Sequence, residues 1–133
     1  MQDAIIIGYG PAGLSAALYI LRAGFSVTII GKDNGALTKA EKIENYFGLP
    51  APLDGNTLVE NGKAQTRALG ARFLTEEVTD ISWNGTYEVT TVNQTLKSRL
   101  ILLATGSPRK RPSIPGIREL EGKGVSYCAV CDA

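Results

Sequence analysis

A chain of 133 residues is long enough to form one domain with a buried core of its own. A hydrophobic fraction of 44% beside 20% charged residues fits a soluble globular chain and excludes the disordered and fibrous classes. The formal net charge of +1 gives no overall attraction to nucleic acid or to an anionic membrane, and no apolar run approaches the roughly 18 residues of a membrane span. Met1-Gln2-Asp3 lacks the basic region of a signal peptide, so the expected location is cytoplasmic.

In chain order, residues 4–7 (Ala-Ile-Ile-Ile) read as a wholly apolar strand of the kind a parallel sheet covers on both faces. Residues 11–23 read as a helix, with Leu14, Ala17, Leu18 and Leu21 on one stripe, Pro11 in its first turn and Gly24 as its stop. Residues 25–30 supply a second strand and complete a strand–helix–strand unit. Residues 31–55, rich in Gly, Asn, Asp and Pro, read as a long functional loop, followed by a helix over 56–69 that Gly62 weakens. Short strands are predicted at 73–75, 78–83, 87–92 and 95–100, an antiparallel meander with Asn84-Gly85 as a hairpin turn. Residues 100–104 form a second buried parallel-type strand, and Pro108, Pro112, Pro115 and Gly116 then mark a linker. Between two of those prolines, Arg109-Lys110-Arg111 fits a solvated loop better than a phosphate or partner contact.

Gly8, Gly10 and Gly13 satisfy G-x-G-x-x-G where the motif has physical meaning, after a strand and opening a helix. Gly8 allows the tight turn, Gly10 lets backbone approach a pyrophosphate, and Gly13 lets the helix pack against the sheet. The helix N-terminus then offers free amides and a positive dipole end to the phosphates. The carboxylate expected to hold the adenosine ribose at the end of the second strand is missing. That place has Gly31, followed by Lys32 and Asp33, so backbone groups or those two side chains are left to serve. Ala104-Thr105-Gly106 ends a strand at the sheet edge where ligands sit, a plain strand-ending turn being the alternative.

The sequence contains two cysteines and no histidine, which excludes a Cys–His nucleophile pair and any mixed Cys/His zinc site within it, and no metal site is expected. Cys128 and Cys131 are spaced to cycle between dithiol and disulfide; half a metal site and coincidence are the other readings of that spacing. Beside a dinucleotide cradle, the redox reading leads. Asp132 next to Cys131 opposes thiolate formation by like-charge repulsion, so it suits a proton donor or acceptor, or is simply solvated.

Taken together, the segments GYGPAGLSAALYILRAG, KIENYFGLP, LILLATGSP, IPGI and GKGVSYCAVCDA resemble the bacterial, low-molecular-weight thioredoxin reductases along essentially the whole chain. The resemblance implies an α/β, Rossmann-like FAD-binding domain of ββα type, with a parallel sheet and an antiparallel meander inserted. On that expectation the domain would be incomplete here. Residues 1–115 would be its first segment, and 116–133 the linker and start of a redox-dithiol domain. It implies electrons passing from FAD to a Cys128–Cys131 disulfide and on to a thioredoxin-like protein, in an enzyme that is a homodimer when complete. Cys131 would face the flavin, Cys128 would attack the partner, and Asp132 would act as acid and base. For FAD it points to Gly10, Pro11 and Ala12 at the pyrophosphate and to Gly31, Lys32, Ala36 and Leu37 in the next loop. Asn45, Val78, Ala104, Thr105 and Gly106 complete the set.

Two departures accompany the resemblance. Asn34-Gly35-Ala36-Leu37 stands where the family commonly has Gly-Gly-Gln-Leu, so a glutamine side chain toward the flavin is lost. The sequence also ends at the dithiol, so NADPH is implied by the family alone and no residue here is assigned to it. A truncated FAD-binding module, or a fragment completed by another chain, are therefore the alternative readings.

Overall fold

Period-two alternation in the first strand builds the molecule outward from a two-faced central layer. In β1 (Gln2–Ile7), Ala4 and Ile6 point to one face and Ile5 and Ile7 to the other, and all four are buried. The computed structural model describes residues 1–108 and 110–128. Within them, β1 is followed by α1 (Pro11–Arg22), β2 (Val27–Gly31), a short 3-10 turn (Ala36–Lys39) and α2 (Gly55–Ala68). Then come β3 (Arg72–Thr75), β4 (Val78–Trp83), β5 (Tyr87–Thr91), β6 (Thr95–Leu103) and α3 (Ile117–Leu120).

Six strands form one sheet in the order β3-β2-β1-β6-β5-β4. β3, β2, β1 and β6 run parallel, whereas β6, β5 and β4 are joined antiparallel. The first face carries α1 and α2, with Leu14 and Ala17 of α1 and Val59 of α2 buried on Ala4, Ile6, Val27 and Ile29. The opposite face gathers Ile5, Ile7 and Ile30 with Val89 of the meander, and with Leu74, Val78, Leu96 and Ile101 around them. This is the parallel sheet with an antiparallel meander expected for an α/β, Rossmann-like domain.

Three local findings refine the sequence reading. Gly62 has a packing reason to be glycine: a Cβ there would lie 3.0 Å from Leu14 Cδ1, so the residue lets α2 approach α1. The residues read as two strands, 95–100 and 100–104, are one strand with different neighbours along its length. β6 pairs antiparallel with β5 through Thr95–Ser98 partners and parallel with β1 from Ser98 to Leu103. The polar run Lys97-Ser98-Arg99 does not interrupt it, because Ser98 points inward and is fully buried while its neighbours reach out to Glu88 and Asp3. Ser98 Oγ donates to Leu100 O at 2.6 Å, which satisfies the buried hydroxyl. The strand is not covered on both faces as expected, since Leu100 and Leu103 are exposed. β3 in turn belongs to the parallel edge beside β2 and not to the meander.

The Asn84-Gly85 hairpin also differs in detail. Only Gly85 takes positive φ, +76°, and the loop between paired Trp83 and Tyr87 has three residues, so glycine supplies the left-handed position alone.

One carboxylate ties the meander to the parallel edge. Glu76 accepts hydrogen bonds from Thr91 Oγ1 and Gln94 Nε2, at 2.5 and 2.9 Å, while its own amide donates to Gly31 O at 3.1 Å. The Thr91 hydroxyl, ahead of Gln94, holds this carboxyl below its ordinary value. Stability from a depressed carboxylate is present above the unfolded value, about 4.3, and is lost as pH falls through the folded one. Thermal melts of wild type and Glu76→Gln at about pH 6 and about pH 3.5 should therefore differ less in acid than near neutrality. An equal gap at both pH values would contradict the clamp.

Candidate functional site

Because β1, β2, β3 and β6 are parallel, their carboxyl ends fall along one edge of the sheet, the edge where open α/β sheets bind ligands. Expected positions fall along it from four places in the chain: the turn 8–13 after β1, the stretch 31–37 from the end of β2, Val78 shortly beyond β3, and 104–106 after β6.

The turn is built by close backbone approach. Gly8 has φ +103°, and a Cβ on it would run into the carbonyl of Ala104; a Cβ on Gly13 would run into the carbonyl of Gly8. Strand pairing continues up to the turn, with Gly8 N donating to Ile30 O at 2.7 Å and Ala104 N to Ile7 O at 2.8 Å. Gly10 is different: nothing lies within 4 Å of where its Cβ would be, so its approach side is open. Gly10 is also the N-cap of α1, without a side-chain cap, and the first turn has no acidic residue. Leu14 N is bonded back to Gly10 O at 3.0 Å, and Pro11 has no N–H, so the amides of Ala12 and Gly13 lack intrahelical acceptors. An open glycine, two outward amides and the positive end of a twelve-residue helix fit a pyrophosphate.

The missing ribose carboxylate has a steric cause. A Cβ at Gly31 would sit 2.6 Å from Tyr9 Cδ1 and 2.7 Å from Cε1, so the Tyr9 ring occupies the space a longer side chain would need. Tyr9, between two glycines of the motif, is buried, and its ring lies 6.2 Å from that of Phe73 on β3. Lys32 pairs with Glu77 at 3.4 Å on the surface, and Asp33 Oδ1 accepts the Gly35 amide at 2.8 Å, so both flanking candidates have local partners.

A polar cluster backs the loop after β2. Lys63 of α2 is nearly buried, with its ammonium 4.1 Å from the Tyr9 ring centroid, and it donates to Asn34 Oδ1 and to Glu60 Oε1. Asn34 Nδ2 donates to Asn56 Oδ1 at 2.9 Å and to Glu60 Oε1 at 2.8 Å. Asn34 first, then Lys63, hold the Glu60 carboxyl below its usual range. Sequence reasoning missed Tyr9, Asn34 and Lys63 as a unit, since a lysine on an amphipathic helix reads as solvated. Only the unexpected Gly31 hinted that something filled its space.

The remaining expected residues divide. Ala36 and Leu37 lie in the 3-10 turn, where the Leu37 carbonyl packs so close to Gly55 that a Cβ there would collide with it. Asn45 is exposed in a loop closed by the Ile43–Leu53 bridge. Val78 opens β4 with its side chain in the second core cluster, which leaves its backbone for any ligand role. Thr105 and Gly106 are exposed beyond Ala104, next to the turn. Cys128 is half-buried, and its amide donates to Ser126 Oγ at 3.1 Å. Cys131 and Asp132 lie outside the described residues, as does Arg109. Arg111 pairs with Glu121 at 2.5 Å, so that member of the basic cluster is not simply solvated. Among the described residues there is no group of side chains suited to hold a metal ion, and no helix is long and apolar enough to cross a membrane.

Comparison with known proteins agrees with this geometry. A family model described as pyridine nucleotide-disulphide oxidoreductase matches residues 2–133. The chain is 38% identical over 137 residues to the thioredoxin reductase of Aquifex aeolicus, covering 100% of this chain and 42% of that relative. It is 40% identical over 133 residues to that of Treponema pallidum, covering 98% and 43%. Among solved structures, a thioredoxin reductase from Streptococcus pyogenes is similar with a TM-score of 0.88 and 32% identity, over 99% of this chain and 44% of that one. One from Gloeobacter violaceus gives 0.78 and 36%, over 98% and 42%. The chain thus spans less than half the length of the curated relatives it matches. A glycine turn open toward a helix N-terminus, at the carboxyl edge of a sheet that matches throughout, leads to one assignment: the chain belongs to the pyridine nucleotide-disulphide oxidoreductase family.

Proposed function

We propose that this chain is the flavin-binding part of a disulfide reductase of thioredoxin reductase type. The observation that carries the reading is the glycine turn, closed at Gly8 and Gly13 by neighbouring backbone yet open at Gly10. FAD, when bound, supplies a two-electron carrier. The chain's own contribution is to bind and orient it. The amides of Ala12 and Gly13 would hold the pyrophosphate, with Pro11 fixing the helix start. The backbone of Gly31 and Lys32, with Ala36 and Leu37, would line the adjoining wall, and Asn45, Val78, Ala104, Thr105 and Gly106 would complete it. The Asn34 network supports this by holding the loop from behind, and Tyr9 leaves the ribose to backbone donors and acceptors rather than to a carboxylate at position 31.

In this reading the dithiol alternates between an oxidised and a reduced state. A Cys128–Cys131 disulfide accepts two electrons and two protons and becomes two thiols. Cys128 as thiolate attacks one sulfur of a thioredoxin-like partner's disulfide and expels the other as a thiolate, which forms a mixed disulfide. Cys131 as thiolate then attacks Cys128, restores the chain's own disulfide and releases the partner reduced. Asp132 gives or takes the proton at the Cys131 sulfur. The half-buried setting of Cys128 and its place after the Ile117–Leu120 helix are consistent with a second unit that begins near residue 116 and follows an FAD segment ending near 115. NADPH as donor, a homodimer and a cytoplasmic location belong to the same reading as what the family resemblance implies.

Gly10→Ala separates binding from folding. There is room for its Cβ in the unliganded chain, so stability should stay within about 0.5 kcal/mol of wild type. The same methyl would stand where a pyrophosphate approaches, and affinity for FAD or ADP by calorimetric titration should fall at least about tenfold. Unchanged affinity would contradict the site. In the full-length protein, Cys131→Ser should abolish thioredoxin-type disulfide reduction while leaving FAD bound. Undiminished turnover would remove the role given to Cys131.

A further inference from the structure

One nearly buried cation joins the two walls of the candidate nucleotide site. Lys63 reaches from α2 beneath both of them. Its ammonium sits against the face of Tyr9, the residue between Gly8 and Gly10, and donates to Asn34, the residue before the positive-φ Gly35 that leads into Ala36 and Leu37. Glu60, one helical turn earlier, accepts from Lys63 at 3.1 Å and from Asn34 at 2.8 Å, which neutralises the charge and fixes the amide. Asn34 then has its carbonyl oxygen and both amide hydrogens engaged, by Lys63, Glu60 and Asn56. A lysine at 8% exposure is unusual unless its charge is paired, and here the ammonium has an aromatic face, an amide oxygen and a carboxylate around it. The same Tyr9 ring enforces glycine at position 31, so one side chain both excludes a ribose-binding carboxylate and receives the cation.

We propose that Lys63 is a positioning residue of the nucleotide site: its ammonium locks Tyr9 of the glycine turn to Asn34 of the following loop. The two walls thereby hold one relative geometry before any ligand arrives. Lys63 needs no contact with the nucleotide for this role. It acts through Tyr9 and Asn34, and its effect on affinity is pre-organisation of the loop. This inference rests on the reading of the edge as an FAD site, but its structural half is measurable without FAD.

The test compares wild type, Lys63→Met and Lys63→Arg by amide hydrogen exchange and by FAD titration. Methionine keeps an apolar stem and removes the charge, whereas arginine restores a cation able to stack on Tyr9 and donate to Asn34. The amides of Gly35, Thr38 and Ala40 are bonded within the loop, to Asp33 Oδ1, Gly35 O and Leu37 O, and serve as reporters. In Lys63→Met their exchange should quicken at least about tenfold while Ile6 and Ile29 of the central strands keep wild-type protection. FAD should bind about tenfold more weakly, and Lys63→Arg should bring both readouts back to within about threefold of wild type. Wild-type exchange at the three loop amides in Lys63→Met would overturn the proposal. So would equal loss of protection in the central strands, or a loss that arginine fails to repair, because stem packing and not the cation would then be responsible. Absence of FAD binding by wild type, with the exchange pattern as expected, would count against the FAD reading and leave the lock in place.

Discussion

The structure depends on the fit of Gly8 between two backbones. On one side its missing Cβ admits the carbonyl of Ala104 at the end of β6, and on the other its own carbonyl is met by the missing Cβ of Gly13 in α1. A side chain at either position would push the helix off the sheet or part β1 from β6. With neither present, hydrogen bonding from β2 and β6 runs up to the turn, and the first turn of α1 is held at a fixed place above the strand ends. A helix N-terminus attracts anions only within its first turn, so fixing that turn to the strands decides where a phosphate can sit.

The two-sided core keeps this edge accessible. Helices α1 and α2 cover one face through Leu14, Ala17 and Val59, and the meander contributes Val89 to the other. Glu76 holds the meander to the end of β2 by its carboxylate and its amide, which brings the start of β4 beside the ends of β2 and β3. The edge is thus framed by parts from both layers while the glycine turn in its middle stays open.

Much of this was legible because local signals carried it. The apolar run of β1, the glycine spacing and the stripe of α1 placed the strand–helix–strand unit, and residues 78–83 emerged as a strand with the bounds the sequence predicted. The loop after β2 was recognisable from its composition, though not its short 3-10 turn. What escaped detection depends on contacts far apart in sequence. The change from an alternating to an apolar pattern at Leu100 signals a new neighbour, not a new strand, and nothing local distinguishes the two. Membership of β3 in the parallel edge depends on pairing with β2, some 40 residues earlier. Tyr9, Gly31 and Lys63 each had an ordinary local reading; only folding brings the ring beside the glycine and the cation beneath the ring. Gly62 likewise looked like a weak point of α2 and is the place where two helices come close.

The central claim is that the turn from Gly8 to Gly13 is the seat of a flavin dinucleotide. The most direct measurement is the visible absorption spectrum of the purified chain after incubation with FAD and removal of unbound flavin, repeated with excess ADP. The account predicts retained flavin bands near one equivalent per chain, displaced by ADP because both molecules place a pyrophosphate at the same amides. A colourless protein with all flavin in the filtrate, or flavin that ADP does not displace, would contradict it.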